Sequence, residues 1–439
     1  MKRSFRVATL GIGIGVTALL GSCGVTRPAL SKEELADRRL EQIEQIRTDF
    51  VAISSKVVRR MDREQREWEE AKARGEELPP PVLDVLAISG GGDWGAFGAG
   101  VLQGWRDVKG ELALPRFDVV TGVSTGALIA PFAYLGDDAS LAVVDDLYRS
   151  PKSDWIVLKD WFVFLPWRES FTDTSGLRRE VEENLTPERI ARIADESKQD
   201  RALIIGTTNL DLGLPRAWAL GRETEHMNER GGVKRVHDIL MASAAIPGIF
   251  PPVVIDDTLH VDGGTTANVL LGANLRSEQS VLGSWRRTFP GRTPPKLRFW
   301  AIVNNTLGDS PSIVAPSWPD IMGKSLTTLS RSSTKSSLRA FLAQAELLRR
   351  AENVDIEVRF IAVPNDFVPP VEGAFKKETM NTLADIGLRL GRDPANWRTQ
   401  LADFEEPVLT IEKVVEQDKK AAENAAQPSE SALPAPIQR

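Results

Sequence analysis

The 439-residue chain contains one cysteine, three histidines and two tyrosines, and each scarcity excludes something. A lone cysteine, Cys23, forms no intramolecular disulfide and no multi-cysteine metal site. Three histidines (His226, His237 and His260) leave little material for a histidine-ligated metal or a histidine general base, and no metal or cofactor is expected. There is no excess of positive charge either. The 55 Lys and Arg are outnumbered by 61 Asp and Glu, a net charge of −6, which argues against nucleic acid as a partner. After the first twenty residues no apolar run reaches membrane-spanning length.

That first stretch carries its own signal. Lys2, Arg3 and Arg6 precede an apolar run from Val7 to Leu20, the makeup of an export signal. It ends in Leu20-Gly21-Ser22-Cys23, which resembles the lipobox of bacterial lipoproteins. The resemblance implies cleavage of a signal peptide (1–22), acylation of Cys23 and residence in the cell envelope as a lipid-anchored membrane protein. Gly24, where inner-membrane lipoproteins often carry Asp, favours the outer membrane if the cell is Gram-negative.

Residues 23–81 read as a charged helical arm. Leu40, Ile43, Ile46, Phe50, Ile53, Val57 and Met61 recur every three or four positions, an amphipathic helix that either lifts the body off the lipid or packs its stripe upon it. Pro79-Pro80-Pro81 ends the arm. From Val82 short apolar strands alternate with helices, predicting an α/β fold with a central, mostly parallel sheet. The expected strands are 82–89, 117–121, 202–207, 297–303 and 356–363. The expected helices are 95–107, 125–135, 139–149, 234–244 and 336–351. The body is placed at 82–380, followed by a helical extension (381–416) and a disordered Ala-, Glu- and Pro-rich tail (417–439).

Three motifs carry chemistry. Gly90-Gly91-Gly92-Asp93-Trp94-Gly95 joins a strand to a helix. Glycines let a ligand approach the backbone, and a helix start offers free N–H groups to an anion. Alone, the loop also fits the G-x-G-x-x-G of a dinucleotide site, or a structural turn. Gly122-Val123-Ser124-Thr125-Gly126 lies at a second strand–helix junction, the G-x-S-x-G of a nucleophile elbow. Asp262-Gly263-Gly264 follows the short strand Leu259-His260-Val261. A serine hydroxyl needs a base to attack an ester, and a buried aspartate can serve if its pKa is raised. Asp262-Gly263 is otherwise a plain turn.

The order and character of the three motifs, from Leu86 to Val269, resemble the patatin-like phospholipase family. Ala242–Pro252 and Gly206–Gly213 resemble further stretches of it. The resemblance implies a three-layer α/β/α fold. Ser124 is then the nucleophile, Asp262 the base, Gly122 and Gly126 flank the elbow, and the loop of Gly90, Gly91, Gly92, Asp93 and Gly95 holds the oxyanion. The implied activity is hydrolysis of fatty acyl esters of (lyso)phospholipids or related lipids. An acyltransferase using the same dyad, a catalytically silent lipid-binding or scaffolding envelope lipoprotein, and nucleotide binding by the glycine loop are the competing readings. One departure stands out: Trp94 occupies a position where the family loop usually carries Arg or Lys. Trp155, Trp161, Phe162, Phe164, Trp167 and Phe171 form either an interfacial lid or core packing beside the site. His260, two residues before Asp262, is a minor candidate for a catalytic part.

Overall fold

The computed structural model describes residues 28–159, 168–224, 231–272, 275–308 and 312–401. The signal segment and Cys23, four of the six clustered aromatics, His226 and most of the chain after 401 lie outside them. Described residues up to Thr399 belong to one compact unit.

Helix α1 (Lys32–Ala73) opens with a capping box between Ser31 and Glu34. There follow β1 (Val82–Ile88), α2 (Gly95–Trp105), β2 (Val119–Val123), α3 (Thr125–Leu135) and α4 (Asp138–Arg149). A small hairpin, β3 (Val157–Leu158) with β4 (Thr172–Asp173), leads to α5 (Ser175–Asn184) and α6 (Pro187–Ser197). Next come β5 (Ala202–Asn209), β6 (Leu214–Ala219), α7 (Leu220–Glu223), α8 (Gly232–Ser243), β7 (Val253–Ile255) and β8 (Thr258–Asp262). The last elements are α9 (Val281–Thr288), β9 (Lys296–Thr306), α10 (Trp318–Glu352), β10 (Ile356–Val363) and α11 (Lys377–Gly391).

Eight strands form the main sheet in the order β10-β9-β1-β2-β5-β8-β7, with β6 also on β5. The run from β10 to β5 is parallel, and β6, β7 and β8 join antiparallel. The parallel strands are almost wholly buried, as strands covered on both faces must be, with polar residues gathered towards their ends. Neighbours on β9 show the two covering layers. Phe299 meets Phe341 of α10, whereas Trp300 meets Trp105 of α2. The architecture is therefore the expected α/β/α with a mostly parallel sheet.

Two boundaries differ from the sequence reading. The helix expected at 336–351 begins at Trp318, because Gly323 and the serine- and threonine-rich stretch 325–337 are poor helix formers that conceal its first half. The body does not end at 380, which falls inside α11. That helix packs backbone to backbone on α2: a side-chain carbon at Gly100, Gly104, Gly387 or Gly391 would collide with a carbonyl of the opposite helix. Trp397, beyond α11, stacks with Trp105 and Trp300 in the core. The described part of the supposed extension, 381–401, is part of the fold.

The arm packs on the body, but only part of its apolar stripe does so. Val57, Val58 and Met61 are buried, while Leu40 is 67% exposed. Buried polar groups hold the rest. Arg60 pairs with Asp118 at 2.7 Å, Asp49 with Arg216 and Arg222, and Asp62 with Arg292.

Candidate active site

Strand β5 is the ruler that aligns the site. One edge pairs with β6 along residues 204–209. Its other edge pairs first with β2, ending at Val123 opposite Gly206, and then with β8, where Asp262 lies opposite Thr207. The residue after Val123 is Ser124. Register alone thus brings residues 124 and 262, far apart in sequence, to adjacent rungs.

Ser124 sits at φ 54° and ψ −126°, a backbone conformation costing a non-glycine residue on the order of 1–3 kcal/mol. Its neighbours fix that conformation. A side chain on Gly126 would strike the carbonyls of Ile88 and Ser89, and one on Gly122 would strike Gly126 itself. The Ser124 N–H donates to Ser243 Oγ at 3.0 Å, and that hydroxyl donates to the Gly206 carbonyl at 2.6 Å. Ser243 therefore ties the elbow to the ruler strand.

The Asp262 carboxylate lies close to the Ser124 side chain and accepts the Gly264 N–H at 2.7 Å. It is 6% exposed. Burial pushes its pKa up to about 6, partly offset by the neighbouring Ser124 and by the Gly264 N–H. Its own N–H donates to Ala245 O at 2.9 Å, so the stretch 242–252 braces the carboxylate's strand.

The glycine loop contributes fewer free donors than its five residues suggest. Gly90 N–H donates to Asn268 O at 3.0 Å, and Gly95 N–H turns back to the carbonyls of Gly92 and Asp93. Gly90 and Gly95 therefore shape the loop instead of offering N–H groups, unlike the sequence expectation. Among the described residues, the N–H groups of Gly91 and Gly92 have no protein acceptor, and Gly92 lines the same pocket as Ser124. The loop is pinned from outside by Asn304, whose carbonyl leaves no room for a side chain at Gly91. Asn304 also bonds Ser89 through its backbone N–H and its side-chain amide, each at 2.9 Å.

Three further polar contacts escape the motifs. Asp93 accepts the N–H of Phe375 at 2.8 Å, holding that ring against the pocket; burial raises its pKa. Tyr148 hydrogen-bonds the Thr125 hydroxyl under the loop. Asn268 links the glycine loop to the Asp262 segment and to Thr334 of α10 at 2.7 Å. Trp94 is packed edge-on against Phe367, 5.3 Å between centroids, and adds apolar bracing where a cation was looked for.

His260 is not beside the serine's hydroxyl. Its ring nitrogens meet the hydroxyls of Thr207 and Thr258 at 3.1 and 3.2 Å, and burial lowers its pKa to about 4. His237 bonds the Leu185 carbonyl. Both are packing groups. No cluster of metal ligands occurs among the described residues.

Ser124 opens onto an apolar pocket of about 770 Å³, counting the part open to solvent, walled by α3, α4, α5 and α8. Trp155 belongs to this wall, and Phe171 stacks on Trp318 at 5.1 Å; the other clustered aromatics lie outside the described residues.

The fold is α/β, with a serine on a strained turn and a buried carboxylate close to it at adjacent strand ends. Residues 86–274 match the family model of the patatin-like phospholipases, so the chain carries a patatin-like domain, five residues longer than the motifs marked. It is similar to calcium-independent phospholipase A2-gamma of Oryctolagus cuniculus, 25% identical over 197 residues, covering 42% of this chain and 24% of that protein. The chain thus spans about a quarter of that relative's length. It is also similar to the crystal structure of VipD from Legionella pneumophila, with 10% identity, a TM-score of 0.31, and coverage of 70% of this chain and 66% of that one.

Proposed function

We propose that this protein is a lipid acyl hydrolase acting through Ser124 and Asp262 on fatty acyl esters of (lyso)phospholipids or related lipids. The observation that carries the reading is a strained serine that lines an apolar pocket and lies close to a buried carboxylate whose pKa is raised. Ser124 Oγ attacks the acyl carbonyl carbon as its proton passes to Asp262. The carbonyl oxygen becomes an oxyanion facing the N–H groups of Gly91 and Gly92. Collapse expels the alcohol, which takes the proton from Asp262 and leaves an acyl-Ser124 ester. Water, giving a proton to Asp262, then attacks the acyl carbon; collapse expels Ser124 Oγ, which takes that proton back from Asp262 and releases the fatty acid. A carboxyl group with a pKa near 6 is a far better base than an ordinary aspartate and is still ionised at neutral pH.

The test is hydrolysis of p-nitrophenyl esters and lysophospholipids by wild type, Ser124→Ala and Asp262→Asn, together with labelling by a fluorophosphonate. Folded wild-type protein that neither turns over nor labels would leave a silent lipid-binding lipoprotein as the better account. Transfer of the acyl group to an added alcohol would make it an acyltransferase. We further propose that acylated Cys23 anchors the protein to the cell envelope, most simply at the outer membrane. Among the described residues no helix is long and apolar enough to cross a membrane. Cys23→Ala should move the protein from the membrane fraction to the soluble one and abolish palmitate incorporation.

A further inference from the structure

We propose that the pocket beside Ser124 selects medium-length acyl chains of roughly eight to ten carbons; this rests on the hydrolase reading of the same site. The pocket follows one face of α3, with Ser124 at its start and Leu128 and Phe132 further along. At 1.5 Å per residue, Ser124 to Phe132 spans about 12 Å. An extended carbon chain with bonds near 1.52 Å advances about 1.3 Å per atom, so about nine carbons fit.

Helix α5 runs along the same space in the same sense. The chain entering it lies near the serine, because Phe171 and Thr172 donate N–H groups to Gly248 and Ile249, in the stretch that braces Asp262. Its end, Asn184, meets the far end of the pocket. Arg189 bonds the Asn184 carbonyl and lies over the Phe132 ring, 5.4 Å from its centroid.

That far end is polar and already satisfied. Asn184 Nδ2 donates to the carbonyl and the carboxylate of Glu180, at 3.0 and 3.2 Å. The other Glu180 oxygen accepts Trp155 Nε1 at 3.3 Å and pairs with Lys152. Glu180 and Asn184 both line the pocket, and Glu180 is 8% exposed. A methylene chain up to this point touches Leu, Val and Phe. A longer one must part a hydrogen-bonded carboxylate, amide and ammonium, leaving buried polar groups unpaired.

The experiment measures kcat/KM for p-nitrophenyl esters from butanoyl to hexadecanoyl, below their micellar concentrations. The wild type should peak at octanoyl or decanoyl and fall by at least about tenfold at hexadecanoyl, the size of one uncompensated polar contact. Phe132→Ala should move the optimum to longer chains. Leu128→Trp, one helical turn from the serine, should move it towards butanoyl, and it stands as a separate test if Phe132→Ala fails to fold. A flat profile, or a wild-type optimum at hexadecanoyl, overturns the proposal while leaving the dyad intact. If the folded protein hydrolyses no ester, the dyad reading fails instead. Thermal stabilisation by free alkanoic acids of the same lengths then decides the pocket: a maximum at eight to ten carbons supports it, and no length dependence overturns it.

Discussion

The two ends of the parallel sheet treat buried carboxylates in opposite ways. At the amino ends, Asp84 receives two hydrogen bonds from Arg298 and one from Trp300, while Asp118 is paired with Arg60 from the arm. At the carboxyl ends, Asp262 accepts the Gly264 N–H and faces Ser124, and no charged group contributes to its shifted pKa. Burial pushes both Asp118 and Asp262 up, to about 7 and about 6, so a raised pKa does not by itself separate the two ends. The partner does: a cation holds Asp118, whereas Asp262 has no cation and a serine side chain before it, the setting a general base requires. Glycines at the carboxyl ends bring backbone to backbone around Ser124, where a side chain at Gly122 or Gly126 would strike a carbonyl.

If this contrast is functional, damage at the carboxyl ends strikes chemistry and damage at the amino ends strikes stability. Ser124→Ala should lower kcat by at least about 10⁴-fold with an unchanged melting temperature, since it removes the nucleophile but no packing. Asp262→Asn should cost about 10²–10⁴-fold. The pH profile sharpens this. With a folded-state pKa of about 6, the base form predominates above that value, so wild-type kcat/KM should fall as pH drops through 6. Stability runs the other way. A carboxyl whose folded pKa is raised favours folding fully below its unfolded value and loses that advantage as pH rises through 6. Asp262→Asn, uncharged throughout, should therefore be more stable than wild type at pH 7–8, by up to about 3 kcal/mol, and the gain should vanish near pH 4. An inactive variant that is also destabilised at neutral pH would show that the carboxylate is structural.

At the other end, Arg60→Ala strands Asp118, which is nearly fully buried, and breaks the tie between arm and body. Loss of one partner of a buried pair costs about 3–5 kcal/mol. Chemical denaturation should read that loss while kcat of the folded enzyme stays within about twofold. A comparable fall in kcat would mean that the arm shapes the site across the sheet.

The parts legible in the sequence are those whose physics is local. A glycine that must meet a carbonyl, or a serine on a strand-to-helix turn, leaves a string, and the parallel strands leave apolar runs bounded by turns. Register also repaid reading, since motifs at successive strand ends converge. What stayed hidden depends on single polar residues from distant segments. Ser243 under the elbow, Asn268 and Asn304 around the glycine loop and Asp93 holding Phe375 look like ordinary surface-type residues until the fold buries them. Strand β6 was missed because Leu214-Pro215-Arg216-Ala217 lacks an apolar run, its Pro being tolerable at a sheet edge. The arm's buried Asp49, Arg60 and Asp62 give no sign in the sequence, since charge alone does not reveal its partner.

The mildest expected change tests the one departure from the family loop. Trp94 lies at the carboxyl ends, one residue from the loop's last glycine, yet it contributes packing against Phe367 rather than charge. Replacing it by Arg restores the family's cation and removes an edge-on aromatic contact, worth about 0.5–1.5 kcal/mol. In the proposed mechanism the oxyanion faces the N–H groups of Gly91 and Gly92, in a loop held by Asn304. Trp94→Arg should then lower stability by about 1 kcal/mol and leave kcat on a neutral p-nitrophenyl ester within about threefold. A gain confined to anionic phospholipids would assign the side chain at 94 to headgroup choice. A collapse of turnover on the neutral ester would mean that the indole itself holds the loop in its working shape, placing position 94 with the backbone machinery of the carboxyl ends.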